Sequence, residues 1–119
     1  GAGTADEVGL RYPVDVALGP DGALYIADTM NHCVRLVRDG WTETFAGTCG
    51  AEGYEGDNGP ADSALLSRPE GIMVDGAGHV YIADTYNHVI RVVHPSLSHN
   101  GGDLARDLVP RVYRKRHHR

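Results

Sequence analysis

Apolar positions occur along this chain in short β-branched bursts separated by polar, glycine-rich punctuation. No useful stretch has the three-to-four spacing of a helix. The bursts are Val14–Leu18, Ala23–Ala27 and Cys33–Val37, then Gly71–Val74, His79–Ala83 and Val89–Val93. Their lengths and residue types predict strands. Gly19-Pro20-Asp21-Gly22 and Asp75-Gly76-Ala77-Gly78 follow the first strand of each set, and Asp28–Asn31 and Asp84–Asn87 follow the second. These residues tolerate positive φ or bond their own backbone, so each reverses the chain and antiparallel hairpins result. Asp39-Gly40 is a two-residue type I′ signal leading into Trp41-Thr42-Glu43-Thr44-Phe45-Ala46, which supplies a fourth strand. A single helical turn is expected at Ala61–Leu66.

The two sets are copies of one unit. Shifting the sequence by 56 positions lays Gly3–Val37 over Gly59–Val93 with 15 identities in 35 pairs. The identities concentrate in Tyr25-Ile26-Ala27-Asp28-Thr29, Asn31-His32, Arg35 and Val37 against Tyr81-Ile82-Ala83-Asp84-Thr85, Asn87-His88, Arg91 and Val93. Four short antiparallel strands per unit describe a blade of a β-propeller, so the fold class is all-β with two four-stranded blades. One four-stranded sheet cannot cover both of its faces, and propellers close with four to eight blades. Two blades therefore imply an incomplete propeller or a building block of a larger assembly. The expected organisation is an inter-blade connection over 1–11, blade 1 with a long linker over 12–58, blade 2 over 59–104, and a basic tail or atypical final strand over 105–119. Blade 2 breaks the pattern after Val93. His94–Gly102 is polar and turn-rich where a Trp-Thr-Glu-Thr-Phe strand should stand, although Leu104–Tyr113 could supply a replacement.

At Tyr-Ile-Ala-Asp-Thr-x-Asn-His-x-x-Arg the chain resembles the NHL-repeat family, named for an Asn-His-Leu triplet that reads Asn31-His32-Cys33 and Asn87-His88-Val89 here. The linker from Phe45 through Pro60-Ala61 to Gly71 resembles the long inter-blade connection of an NHL subgroup common in extracellular and bacterial propellers. The resemblance implies a propeller fold that serves binding, scaffolding and a few enzymes, among them peptide-amidating lyases that hold a metal through histidine, and some members bind RNA through a basic face. It carries no metal ligand onto a residue here.

Composition narrows the classes. At 41% apolar and 23% charged, the chain has the usage of a globular unit, and no apolar run approaches the roughly 20 residues of a membrane crossing. The net charge of −5 hides an asymmetry: residues 1–104 hold 5 Lys+Arg against 15 Asp+Glu, whereas 105–119 hold 6 against 1. An acidic body repels phosphate, which disfavours nucleic acid and leaves only the tail to bind it. Cys33 and Cys49 lack a Cys-x-x-Cys spacing and offer at most one disulfide. Cys33 also sits in an apolar strand, where a free thiol often packs as a small hydrophobe.

The motif residues read first as architecture. Asp28 and Asp84 can accept N–H bonds from the next residues and tie the turn, Asn31 and Asn87 can take the left-handed conformation, and Arg35 and Arg91 can pair with the turn carboxylates. The rival reading is a ligand surface. His32 and His88 recur at one blade position, but neighbouring blades separate equivalent atoms widely, so neither a metal nor another cofactor is expected. The acidic loop Gly47–Pro60, with Glu52, Glu55 and Asp57, lacks the alternating spacing of a calcium loop. No catalytic residues are expected, and the common hydrolase and nucleotide motifs are missing. Trp41, Tyr54 and Tyr86 are the aromatic candidates for contact with another surface. The expected function is non-catalytic protein association, with other copies of this chain or further blades as partners and no membrane involvement. The expected setting is extracellular, with cytoplasmic as the alternative. A metal-dependent lyase or hydrolase and RNA binding through the tail are the rival functions.

Overall fold

The structure is a computed structural model that describes residues 3–4, 9–94 and 111–115. Among the described residues nine strands lie in chain order: β1 (Gly3–Thr4), β2 (Pro13–Leu18), β3 (Leu24–Asp28), β4 (Cys33–Arg38), β5 (Trp41–Ala46), β6 (Pro69–Val74), β7 (Val80–Asp84), β8 (Val89–His94) and β9 (Arg111–Lys115). They form two antiparallel sheets, ordered β1-β5-β4-β3-β2 and β6-β7-β8-β9. The short β1 lies outside β5, with Gly3 opposite Thr42. Each sheet is the up-and-down meander that the repeat predicts, and no α-helix occurs among the described residues. The helical turn expected at Ala61–Leu66 is a 3₁₀ turn, Ala61–Ser63, and two further 3₁₀ turns, Thr29–Asn31 and Thr85–Asn87, follow β3 and β7.

The fourth strand of blade 2 is β9, where Val112 sits opposite Val93 as Thr42 sits opposite Val37. It starts near the end of the expected replacement strand, and most of Leu104–Tyr113 lies outside the described residues. A two-residue turn, Asp39-Gly40, joins β4 to β5, whereas residues 95–110 separate β8 from β9.

Alternation along each strand gives each sheet two faces. The back of blade 1 carries Tyr25, Val34, Leu36 and Ala46. It packs against the front of blade 2, which carries Ile72, Val74, Val80, Ile82, Val93 and Val112. Ala61, Ala64 and Leu66 of the linker complete that core. The linker is itself pinned: Gly47 N–H donates to Ala61 O at 2.9 Å, Leu65 N–H to Glu55 O at 3.0 Å and Asn58 N–H to Val112 O at 2.7 Å. Two of its glycines are required. Gly47 (φ +85°) and Gly56 (φ +96°) are left-handed, and a Cβ there would lie 2.7 Å from His32 O or 2.6 Å from Ala64 Cα.

Candidate interaction surface

The repeated polar residues build the same knot twice. Asp28 Oδ1 accepts Arg11 N–H at 2.6 Å, while Oδ2 accepts Asn31 Nδ2 at 2.8 Å and Arg35 Nε at 3.1 Å. Asp84 Oδ1 accepts Ser67 N–H at 2.7 Å, while Oδ2 accepts Asn87 Nδ2 at 2.8 Å and Arg91 Nη1 at 2.9 Å. Both carboxylates are fully buried, and each has three hydrogen-bond donors around it there. Each knot clasps the residue 17 positions upstream, and the backbone closes the clasp: Met30 N–H donates to Arg11 O at 3.0 Å and Tyr86 N–H to Ser67 O at 3.1 Å.

Two details differ from the sequence expectation. The turn carboxylates take backbone donors from the segment before the blade's first strand rather than from the next residues, because the following residues form a 3₁₀ turn whose second N–H is given to the carbonyl of that same segment. The left-handed residues are His32 and His88, both at φ 59°, and not Asn31 and Asn87. The asparagines spend their amides on the aspartates, and Asn87 Nδ2 also reaches Gly53 O at 2.8 Å.

Arg91 extends its knot into the linker. Its Nε donates to Asp57 Oδ1 at 2.9 Å, Nη1 to Leu65 O at 3.0 Å and Nη2 to Glu55 O at 2.8 Å. The guanidinium also lies 5.3 Å from the centre of the Tyr54 ring. The acidic loop thus meets an arginine of the blade. Ser67 Oγ bonds Glu52 in the same way. Among the described residues, no three His, Cys, Asp or Glu side chains gather as metal ligands do, and no helix is long and apolar enough to cross a membrane.

Cys33 and Cys49 are joined in a disulfide with Cα atoms 5.0 Å apart, so Cys33 is not the free buried thiol that its strand context suggests. Trp41, Tyr54 and Tyr86 are each about half exposed. Tyr86 carries Arg68, whose guanidinium carbon lies 4.6 Å from the ring centre and whose Nη1 donates to the phenol oxygen at 3.0 Å.

The remaining surface is organised by the two outer sheet faces, which equivalent positions make legible. On the back faces, Val34 is fully buried and its counterpart Ile90 is 39% exposed, while Met73 is 62% exposed. On the front faces, Val16 and Leu18 are 56% and 69% exposed, whereas Ile72 and Val74 pack onto the core. These residues are covered between the blades and bare outside them, although Val92, on the back of blade 2, is itself buried.

The back of blade 2 also has a polar end. Asp75 Oδ1 accepts His79 N–H at 2.9 Å and Ala77 N–H at 3.0 Å, and Oδ2 accepts the Tyr81 hydroxyl at 3.2 Å. The His79, His94 and Tyr113 rings meet edge to face across the sheet, with centres 5.1 and 4.6 Å apart. The His79 N–H and its companion donors hold the Asp75 carboxyl below its ordinary value of 3.8, and burial together with Asp75 pushes the Tyr81 phenol up. A carboxyl depressed on folding stabilises the turn above its unfolded pKa, and that contribution disappears as pH falls through the lower folded value. A carboxyl-detected NMR titration is expected to place the Asp75 midpoint below 3.8 and to return it upward in urea. A folded midpoint at or above the unfolded one would contradict the turn geometry.

A profile described as NHL repeat matches residues 10–35 and 66–93. The chain is 35% identical over 94 residues to Protein SUPPRESSOR OF QUENCHING 1, chloroplastic, of Arabidopsis thaliana, an alignment covering 76% of this chain and 8% of that protein. It is 33% identical over 100 residues to Teneurin-m of Drosophila melanogaster, covering 74% of this chain and 4% of that protein. The chain spans less than a tenth of the length of either relative.

Proposed function

Because this chain belongs to the NHL-repeat family, with one repeat in each blade, we propose that it works by protein association, as a non-catalytic building block whose open faces are covered by further blades. The differential burial of equivalent residues carries this reading. Val34 and Ile90 occupy the same place on successive blades, yet only Val34 is covered, and Ile90 shares its face with the exposed Met73. The aspartate, asparagine and arginine of each motif are engaged within their own blade and its linker, which leaves the outer faces as the working surface. Copies of this chain are the partners that the repeat best prepares. The disulfide between Cys33 and Cys49 suits an oxidising, extracellular setting.

Light scattering behind a sizing column, over a dilution series of the purified chain, is the direct test. Species of two or more chains that dissociate on dilution are expected. A single-chain mass throughout, with a cooperative melt, would remove self-association as the role.

A further inference from the structure

Three hydrogen bonds tie the back of blade 1 to the segment that opens blade 2. Thr29 Oγ1 donates to Pro69 O at 2.7 Å, Arg68 N–H donates to His32 Nδ1 at 3.1 Å, and Ile72 N–H donates to Asp15 Oδ2 at 2.9 Å. Thr29, His32 and Asp15 thus form the back half of a latch, and Arg68, Pro69 and Ile72 form its front half.

Both halves recur, unmatched, at opposite ends of the described fold. One period after Thr29 and His32 stand Thr85 and His88 on the back of blade 2. Thr85 Oγ1 donates to Ala83 O at 3.2 Å as Thr29 Oγ1 does to Ala27 O at 3.4 Å, and His88 shares the φ of 59° found at His32. One period before Arg68 and Pro69 stand Tyr12 and Pro13 on the front of blade 1, and Tyr12 is left-handed at φ 60° where Arg68 is at 51°. Where His32 is partly covered, His88 is exposed, and its imidazole has no hydrogen-bond partner among the described residues. Tyr12 is 75% exposed. A left-handed tyrosine is uncommon, and holding that conformation presents its N–H just as Arg68 presents its own.

We propose that the back of blade 2 receives the front of blade 1 of a second copy of this chain, with Thr85 Oγ1 donating to the second copy's Pro13 O and the second copy's Tyr12 N–H donating to His88 Nδ1. This inference rests on the association reading above and adds its polarity and its hydrogen bonds. The occupant follows from continuity with the interface inside the chain: Met73, Ala83 and Ile90 at the back face would meet Val16, Leu18 and Ile26 at the front, as Val34 shares the core with Ile72, Val74 and Ile82 between blades 1 and 2. The third bond is missing from the inter-copy latch, because Gly71 stands where blade 1 has Asp15. The contact between copies is therefore weaker than the one within the chain. It is also heterologous, so each copy retains one open front and one open back, and growth proceeds to a ring or a filament.

Two stoppered variants test the polarity. Leu18→Asp blocks the front and Ile90→Glu blocks the back, at positions exposed enough for the fold to be kept, which an unchanged melting temperature at high dilution verifies. Each variant alone is expected to be monomeric, and the equimolar mixture is expected to form a two-chain species and nothing larger. A blocked variant that still dimerises alone would reveal like-to-like pairing and overturn the proposal, as would a mixture of monomers while the parent associates. A monomeric parent would instead overturn the association reading itself. The latch is tested by introducing His88→Gly or His88→Asn into the Leu18→Asp partner, whose back remains open. Glycine keeps the left-handed backbone without an acceptor and is expected to weaken the mixed pair about tenfold, whereas asparagine keeps both features and restores it. Equal affinity for histidine, glycine and asparagine would overturn the latch.

Discussion

Arg91→Met is expected to cost about 3–5 kcal/mol of stability, the loss found when one member of a buried ion pair is removed and the other is left behind. For a domain of this size that corresponds to a fall of roughly 10–20 °C in melting temperature. The magnitude follows from what remains. Asp84 is fully buried and accepts from Ser67 N–H, Asn87 Nδ2 and Arg91 Nη1. Methionine fills much of the arginine's volume, so little of the cost is a cavity, and the carboxylate keeps two neutral donors but loses its counter-charge. The carbonyl of Leu65 loses its donor as well, that of Glu55 keeps Leu65 N–H alone, and Asp57 loses its partner. The loss therefore falls on two structures at once, the turn after β7 and the linker beneath it. Adding Asp84→Asn should cost less in the Arg91→Met background than in the parent, because it then removes the charge that Arg91→Met leaves uncompensated, and a double-mutant cycle measures that coupling. Chemical denaturation of the variants reads the result. An Arg91→Met protein within about 1 kcal/mol of the parent would show that the knot is not what holds the linker to the blade.

This knot also marks how far the sequence could be read. The period of 56 residues places Asp28 with Arg35 and Asp84 with Arg91 on neighbouring strands at once: Cys33 and Val89 stand opposite the aspartates, and each arginine is two residues further along the returning strand. The partners drawn from outside the repeat core were not legible. Asp57 and the Glu55 carbonyl reach Arg91 across more than thirty positions of chain, along a linker whose path is set by left-handed glycines and by its own bridges to Leu65 and Val112, and no local pattern encodes that path. The assignment of left-handed geometry to asparagine failed for a related reason. Asparagine and histidine both tolerate that region, and the choice is made by the 3₁₀ turn, which puts Asn31 where its amide reaches Asp28 and leaves His32 to make the reversal. The final strand was displaced because residues 95–110 replace a two-residue turn, which breaks the spacing by which its three predecessors were found. The open faces, by contrast, were implied by arithmetic alone. Two sheets share one interface and own four faces, and among the described residues Val16, Leu18, Met73 and Ile90 stand exposed on the two that the interface does not use.

The disulfide gives the second large effect. Converting Cys33 and Cys49 together to alanine is expected to destabilise the chain by about 3 kcal/mol, the chain-entropy value for closing a loop of roughly 15 residues; the bridge here joins positions 16 apart. It runs from the first residue of β4, past the β4–β5 hairpin, to the turn that opens the linker. Blade 2 has Val89 in place of Cys33, so the stapling belongs to blade 1 alone. Much of the turn survives its loss, since Gly50 N–H still donates to Asn31 O at 2.7 Å and Ala51 N–H to Thr48 O at 2.9 Å. Those bonds keep the native geometry, and the cost therefore appears as a more open unfolded ensemble rather than as a rearranged fold. Accordingly, the variant should melt lower while its strand signature in circular dichroism stays that of the parent. The parent should take up no alkylating reagent until reductant is added, because Cys33 is fully buried and both sulfurs are spent in the bond. Ready alkylation of both thiols without reductant, or an unchanged melt for the double-alanine chain, would contradict the bridge.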